Sequence, residues 1–215
     1  MRQIGYGRQR EKNPDLTGNG IGKSPENDKP ERKTVPYLGN VLKELGGHEK
    51  AIKCYEKTIE IKPNLVEAHN NLGVVNKEVG NFDNAIACYN QAIKINPNFI
   101  ETHNNLGLML LNSGNTEKAL SHFEQAVNLQ PETGFYIANL GFVQYKLEEH
   151  DIARETLNRA LMLDSTLYAA HETLGDIALH KKDFEVAIEH WQAIPENSIR
   201  EKLRKKIENA QQKIR

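Results

Sequence analysis

Eight histidines, two cysteines and an evenly spaced series of asparagines are the residues of this 215-residue chain whose types could do chemistry. Their spacing decides what that chemistry can be. His69, His103 and His171 each stand four residues before a glycine, at Gly73, Gly107 and Gly175, so they fall at multiples of 34 residues. On neighbouring packed helices such positions are about 8–10 Å apart, too far to share an ion whose bonds are about 2 Å long. These imidazoles read as packing groups, and no metal site is expected. Cys54 and Cys88 are also 34 apart. A disulfide needs Cα atoms closer than about 7 Å, so free thiols are expected. No Ser/His/Asp or Cys/His grouping stands out, so the reading is non-enzymatic, with no catalytic residue and no cofactor.

The asparagines lead to the elements that position them. Asn71, Asn105 and Asn139 each precede a Leu-Gly pair by one residue, and Leu72-Gly73 returns as Leu38-Gly39, Leu106-Gly107, Leu140-Gly141 and Leu174-Gly175. Twelve residues after each glycine stand Ala51, Ala85, Ala119, Ala153 and Ala187; sixteen after stand Tyr55, Tyr89, Phe123, Leu157 and Trp191. Within one unit the apolar residues Leu72, Val75 and Val79, then Ala85, Ile86, Tyr89 and Ile93, fall at helical spacing on either side of Gly80-Asn81. That pattern predicts two short helices joined by a turn. Gly73 and Ala85 lack the bulk that would hold the helix axes apart, and Tyr89 fills the space beyond. A hairpin of this kind cannot bury its apolar face alone, so each needs a neighbour.

The period of 34 with Leu-Gly, Ala, an aromatic, Ala (Ala92, Ala126, Ala160) and Pro (Pro63, Pro97, Pro131) resembles the tetratricopeptide repeat (TPR). The resemblance implies an all-α fold, a right-handed superhelical solenoid of antiparallel helix pairs. Five repeats are expected at 32–65, 66–99, 100–133, 134–167 and 168–197, followed by a basic capping helix at 198–215 and preceded by a flexible tail at 1–31. Repeat four departs from the pattern with Gly134 early in its first helix, Glu148 for the turn glycine, Leu157 for the aromatic and Ser165 for the proline, and a looser turn is expected there. Pro195 truncates the last second helix. Ser198 and Glu201 read as a capping box opening a helix with an apolar stripe of Ile199, Leu203, Ile207, Ala210 and Ile214.

Little chain lies outside the array, too little for a second domain with its own core. Lys+Arg against Asp+Glu count 8 to 5 over residues 1–33, 13 to 22 over 34–197 and 7 to 2 over 198–215, so an acidic array lies between basic ends. No apolar run approaches the roughly 18 residues of a membrane span, and no apolar signal core follows Met1. A cytoplasmic setting is expected. In the tail, Gly18 to Ser24 (GNGIGKS) approaches a phosphate-cradling loop but has Thr17 where the first glycine belongs, and no apolar strand precedes it. Ile4-Gly5 falls in the repeat register, but Gly18, Gly20, Gly22 and Pro25 would sit in that unit's second helix and oppose it.

In a solenoid of the kind the resemblance implies, first helices line the concave face. The expected peptide-binding residues are Asn40, Asn70, Asn71, Asn104, Asn105 and Asn139 as amide partners for a peptide backbone. Val74, Leu108, Leu111, Phe142 and Tyr145 stand beside them as apolar contacts. The N-N-L-G row is similar to the superhelical domain of the O-GlcNAc transferases, whose ladder holds substrate peptides; the transferase's catalytic part has no counterpart here. Carboxylate-clamp co-chaperones are the other comparison. Asn40 and Asn71 match two clamp positions, but Pro36, Glu101 and Asn105 stand where its cations belong. The reading is a protein-interaction scaffold or adaptor that binds an extended or helical segment of another protein. The alternative is a targeting subunit or remnant of a glycosyltransferase. The acidic array argues against nucleic acid as partner.

Overall fold

The structure, a computed structural model, describes residues 31–198 and 201–214. The tail, the GNGIGKS stretch, Ile4-Gly5 and Ile199 lie outside the described residues, as do the side chains of Pro36 and Ser198. Eleven α-helices are described. They are α1 (Glu31–Glu44), α2 (His48–Ile61), α3 (Val66–Glu78), α4 (Phe82–Ile95), α5 (Ile100–Asn112), α6 (Thr116–Leu129), α7 (Gly134–Lys146), α8 (His150–Leu163), α9 (Tyr168–His180), α10 (Phe184–Gln192) and α11 (Glu201–Ile214). Each helix packs on the next in sequence, and α1 also touches α3, α3 touches α5, and α7 touches α9. Odd-numbered helices thus approach one another more closely than even-numbered ones, which puts them on the inside of the bend.

Each pair is closed by the same contact. A Cβ placed on Gly73 would lie 2.6 Å from the Tyr89 ring, on Gly107 2.9 Å from Phe123, on Gly141 2.6 Å from Leu157 and on Gly175 2.2 Å from Trp191. Hydrogen at these positions is therefore what lets the large side chain lie against the first helix. Ala51, Ala85, Ala119, Ala153 and Ala187 are all fully buried beside that contact. Leu157 takes the aromatic position of the fourth pair, fully buried, and meets Gly141 as the rings meet their glycines.

The turn between paired helices is a left-handed cap with two hydrogen bonds. In the second pair Gly80 N donates to Lys77 O at 3.1 Å and Asn81 N to Asn76 O at 2.8 Å, with φ of 83° at Gly80. This geometry satisfies carbonyls that the helix end would otherwise leave open. The looser fourth turn expected from Glu148 is not found. Glu148 takes φ 63°, its N donates to Tyr145 O at 3.1 Å, and Glu149 N donates to Gln144 O at 3.0 Å. The two hydrogen bonds hold the turn in shape against the strain of left-handed backbone at a residue with a Cβ.

α10 stops at Gln192, ahead of Pro195, and α11 packs on it. Leu203 and Ala210 are buried with Ala178, Ala187, Trp191 and Ile194, and Ile188 and Ile207 pack at the edge. Lys206 reaches across to Asp176 at 2.5 and 2.7 Å, with its ammonium 5.8 Å from the Trp191 ring centre. The stripe ends sooner than its spacing suggested, because Ile214 is exposed.

Two stability measurements follow. Gly107→Leu drives bulk into the Phe123 contact and should destabilise the chain by about 1–3 kcal/mol in thermal or urea unfolding. Glu148→Gly removes the left-handed strain of a side chain and should stabilise it by about 0.5–1 kcal/mol, an effect absent at a right-handed control position such as Glu155.

Candidate functional site

On α7 the residues Phe135, Asn139, Phe142 and Lys146 recur at helical spacing and form one stripe on the inner face. The matching stripes are Glu67, Asn71, Val74 and Glu78 on α3 and Glu101, Asn105, Leu108 and Asn112 on α5.

The amides are first of all joined to one another. Asn71 Nδ2 donates to Asn40 Oδ1 at 3.0 Å, Asn105 Nδ2 to Asn70 Oδ1 at 3.1 Å, and Asn139 Nδ2 to Asn104 Oδ1 at 2.7 Å. Thr102 Oγ1 adds a second donor to Asn70 Oδ1 at 3.1 Å, and Tyr55 OH donates to Asn40 Oδ1 at 2.6 Å. Asn70 and Asn104 are buried, so two of the expected peptide contacts lie beneath the groove floor and link successive first helices. The reason is their place three residues before the glycine, which turns them toward the neighbouring helix. Asn71, Asn105 and Asn139 remain half-buried. Each keeps a second amide hydrogen, and the oxygens of Asn105 and Asn139 are engaged by no described residue.

Among the apolar candidates, Val74, Leu108, Leu111 and Tyr145 are half-buried and lean partly into the core. Phe142 is 36% exposed. Two inner-face residues escaped the sequence reading. Phe135 is 50% exposed, and Lys146 holds its ammonium 5.2 Å from the Phe142 ring centre and 5.6 Å from that of Tyr145. Their signal was available, since they stand six before and five after Gly141 and so continue the stripe one turn each way. Behind the stripe Tyr145 stacks on His150, which meets His180 edge-on at 4.5 Å between ring centres. Burial, with Asp176 nearby, pushes the Tyr145 hydroxyl above its ordinary range.

The histidines have found protein partners. His69 and His103 place Nε2 at 2.8 and 2.7 Å from the carbonyls of Pro63 and Pro97, tying each first helix to the linker before it. A carbonyl only accepts, so His103 Nε2 carries the proton, and His103 Nδ1 accepts from His122 Nδ1 at 3.1 Å. His171 and His190 repeat the contact at 3.3 Å. Ring centres 5.4 and 5.6 Å apart set the rings nearly end-on, the geometry of a hydrogen bond; two ligands of one metal would converge at an angle. Among the described residues no three metal-ligating side chains come together. Cys54 and Cys88 are free thiols, half-buried; burial, with Glu56 nearby, pushes Cys88 up. No described helix is long and apolar enough to cross a membrane.

Models of the tetratricopeptide repeat match residues 39–80, 66–99, 88–121 and 139–199. With the helix pairs and the glycine contact, these matches establish the chain as a helical solenoid of tetratricopeptide repeats, a fold suited to a protein-interaction scaffold. Among solved structures it is similar to pilF of Pseudomonas aeruginosa, at 20% identity and a TM-score of 0.73 over 86% of this chain and 90% of that one. It is also similar to MamA from Desulfovibrio magneticus RS-1, at 21% identity and a TM-score of 0.69 over 85% and 98% of the two chains. YrrB, described as a TPR protein with an unusual peptide-binding site, is 19% identical with a TM-score of 0.63 over 74% and 82%. At these identities the likeness extends to the fold. No curated protein matches the chain. None of these likenesses ties the repeats to the O-GlcNAc transferases.

The histidine pairs make stability depend on pH. Burial, reinforced by His103, lowers the His122 pKa, and burial, reinforced by His171, lowers that of His190. The unfolded chain, with imidazoles near pH 6.5, then takes up protons first as pH falls. The stabilisation is complete above that value and is lost as pH drops through it toward the folded pKa. Melting temperature should therefore fall between pH 7.5 and 5.5. The variant His122→Gln/His190→Gln, which keeps a donor but cannot titrate, should show a flatter profile; an unchanged slope would rule the pairs out as its source.

Proposed function

We propose that this chain is a non-catalytic protein-interaction module, a scaffold or adaptor, whose concave face holds a segment of another protein. The observation that carries this reading is the inner stripe of α7, where Phe135 and Phe142 are both exposed at a spacing of seven residues. Two phenylalanines on one face of a helix expose apolar surface that a partner's side chains would remove from water. Such positions are about 10.5 Å apart along a helix, which matches residues one heptad apart on an amphipathic partner helix.

Charge gives the groove a direction. Glu67 and Glu78 stand at the two ends of the α3 stripe and Glu101 at the start of that on α5, and Lys146 stands at the end of the α7 stripe. A segment with basic side chains toward α3 and α5, apolar anchors on α7 and an acidic side chain at Lys146 complements that order. Asn71, Asn105 and Asn139 retain enough hydrogen-bonding capacity to meet exposed polar groups of the segment, while Asn40, Asn70 and Asn104 hold the floor. The cationic grip of a carboxylate clamp has no counterpart at Glu101 and Asn105, so a free C-terminus is not the feature read. The free thiols fit a reducing, cytoplasmic setting. The glycosyltransferase alternative rests on the N-N-L-G row, and the engagement of its amides between helices leaves it without specific support.

The test is a displayed random-peptide library panned against the chain and against Phe135→Ala/Phe142→Ala, with calorimetry on the peptides recovered. Each alanine should weaken binding by about 1–2 kcal/mol, roughly 5- to 30-fold. Lys146→Glu should favour peptides of the opposite charge order. Peptides that bind the folded double variant with full affinity would remove the α7 stripe from the site.

A further inference from the structure

We propose that the outer face of α1, at the N-terminal end of the solenoid, is a self-association surface on which a second copy of this chain seats its own α1. The repeat register shows what that face lacks. Leu38 and Val41 are each 50% exposed, whereas the residues one period on, Leu72 and Val75, are 8% and 0% exposed. Further on, Leu106 and Met109 are 2% and 5%, and Leu174 and Ile177 2% and 1%. These positions are buried because the second helix of the preceding pair covers them. Ala51 and Tyr55 of α2 share a core with Leu72 and Val75, and Ala85 and Tyr89 of α4 share one with Leu106 and Met109. α1 presents the same apolar face, which among the described residues no preceding pair covers, and Leu45, 79% exposed, extends it by a turn.

Upstream, the sequence departs from the repeat pattern at the positions a covering helix would use. One period before Ala51, Ile52, Tyr55 and Ile59 stand Thr17, Gly18, Ile21 and Pro25. Glycine and proline in a helix interior cost about 1 and 3 kcal/mol, which disfavours a covering helix formed in place.

The far end of the array decides how copies can meet. There α11 buries Leu203 and Ala210 against Trp191 and turns Lys202, Lys205, Glu208 and Lys213 outward. A head-to-tail contact would set the apolar face of α1 against this charged surface, so propagation into a filament is disfavoured. An apolar stripe meets its complement in the same stripe of another copy, and such a two-fold contact closes on itself. Beside Leu45 an open recess lined by Leu42, Gly47, His48 and Val79 leaves room for a side chain from the second copy.

The test is sedimentation equilibrium of the full chain over a wide concentration range. A reversible dimer is expected. Val41→Glu and Leu38→Glu alter exposed positions and should keep the helical content and melting behaviour while weakening the dimer at least about tenfold, a loss of about 1.4 kcal/mol. Phe142→Ala on the concave face should leave it intact. In a Cys54→Ser/Cys88→Ser background, Val41→Cys should cross-link between copies with a short bismaleimide. A chain that is monomeric at every concentration overturns the proposal, and so does a dimer that survives both glutamate variants.

Discussion

The contact on which the rest depends is a glycine on each first helix lying against a large side chain on the second. Tyr55 meets Gly39 in its own pair and also shares a core with Leu72 and Val75 of the next; Tyr89 meets Gly73 and then Leu106 and Met109 in the same way. One ring therefore fixes both the spacing within a pair and the seat of its neighbour. Stability in such an array passes from pair to pair through these rings, so a fault at one glycine is felt on both sides of it. The far end obeys the same need. Trp191 is covered not by another repeat but by α11, with Leu203 and Ala210, while Lys206 holds Asp176.

On the inside of the bend a second set of contacts joins the first helices directly, and it is polar. The chain of Asn71 to Asn40, Asn105 to Asn70 and Asn139 to Asn104 runs along the floor of the concave face. Hydrogen bonds are directional where apolar packing is not, so this row fixes how α3, α5 and α7 are each set against the preceding first helix. Its cost is visible beside it. Where the first pair has Asn40 to accept from Tyr55, the second has Val74, and the buried Tyr89 hydroxyl finds no partner among the described residues. Burial raises the pKa of both phenols, that of Tyr55 to about 12.

The fold was legible because the glycine contact leaves a mark at a fixed interval. Leu-Gly, Ala and the aromatic repeat every 34 residues, and the same interval assigns departures such as Leu157 and Pro195 to their places in the unit. The fourth turn was misjudged because composition reports the preference of Glu148 for right-handed backbone, whereas the two cap hydrogen bonds override it. The site was half legible. Spacing put Asn70 and Asn71 together on the inner helix face, but a change of one residue rotates a side chain by about 100° on a helix, enough to send Asn70 under the floor. Periodicity also hid Phe135 and Lys146, since neither residue type recurs at its position in the other repeats.

A feature that repeats from unit to unit serves the scaffold, because neighbouring units have the same contacts to satisfy; the glycine contacts recur in all five units and the amide row in units two to four. Selectivity must come from what breaks the repeat. Along the concave face the break falls at α7, where Phe135, Phe142 and Lys146 occupy positions held by Glu101, Leu108 and Asn112 one period earlier. Here apolar surface replaces charge at one end of the stripe and a cation replaces an amide at the other. The fourth repeat can afford these exchanges because its core is intact: Leu157 fills the ring position, and its turn keeps both hydrogen bonds despite Glu148. Its departures from the pattern thus lie on two surfaces, the inner one exposed and the core one buried.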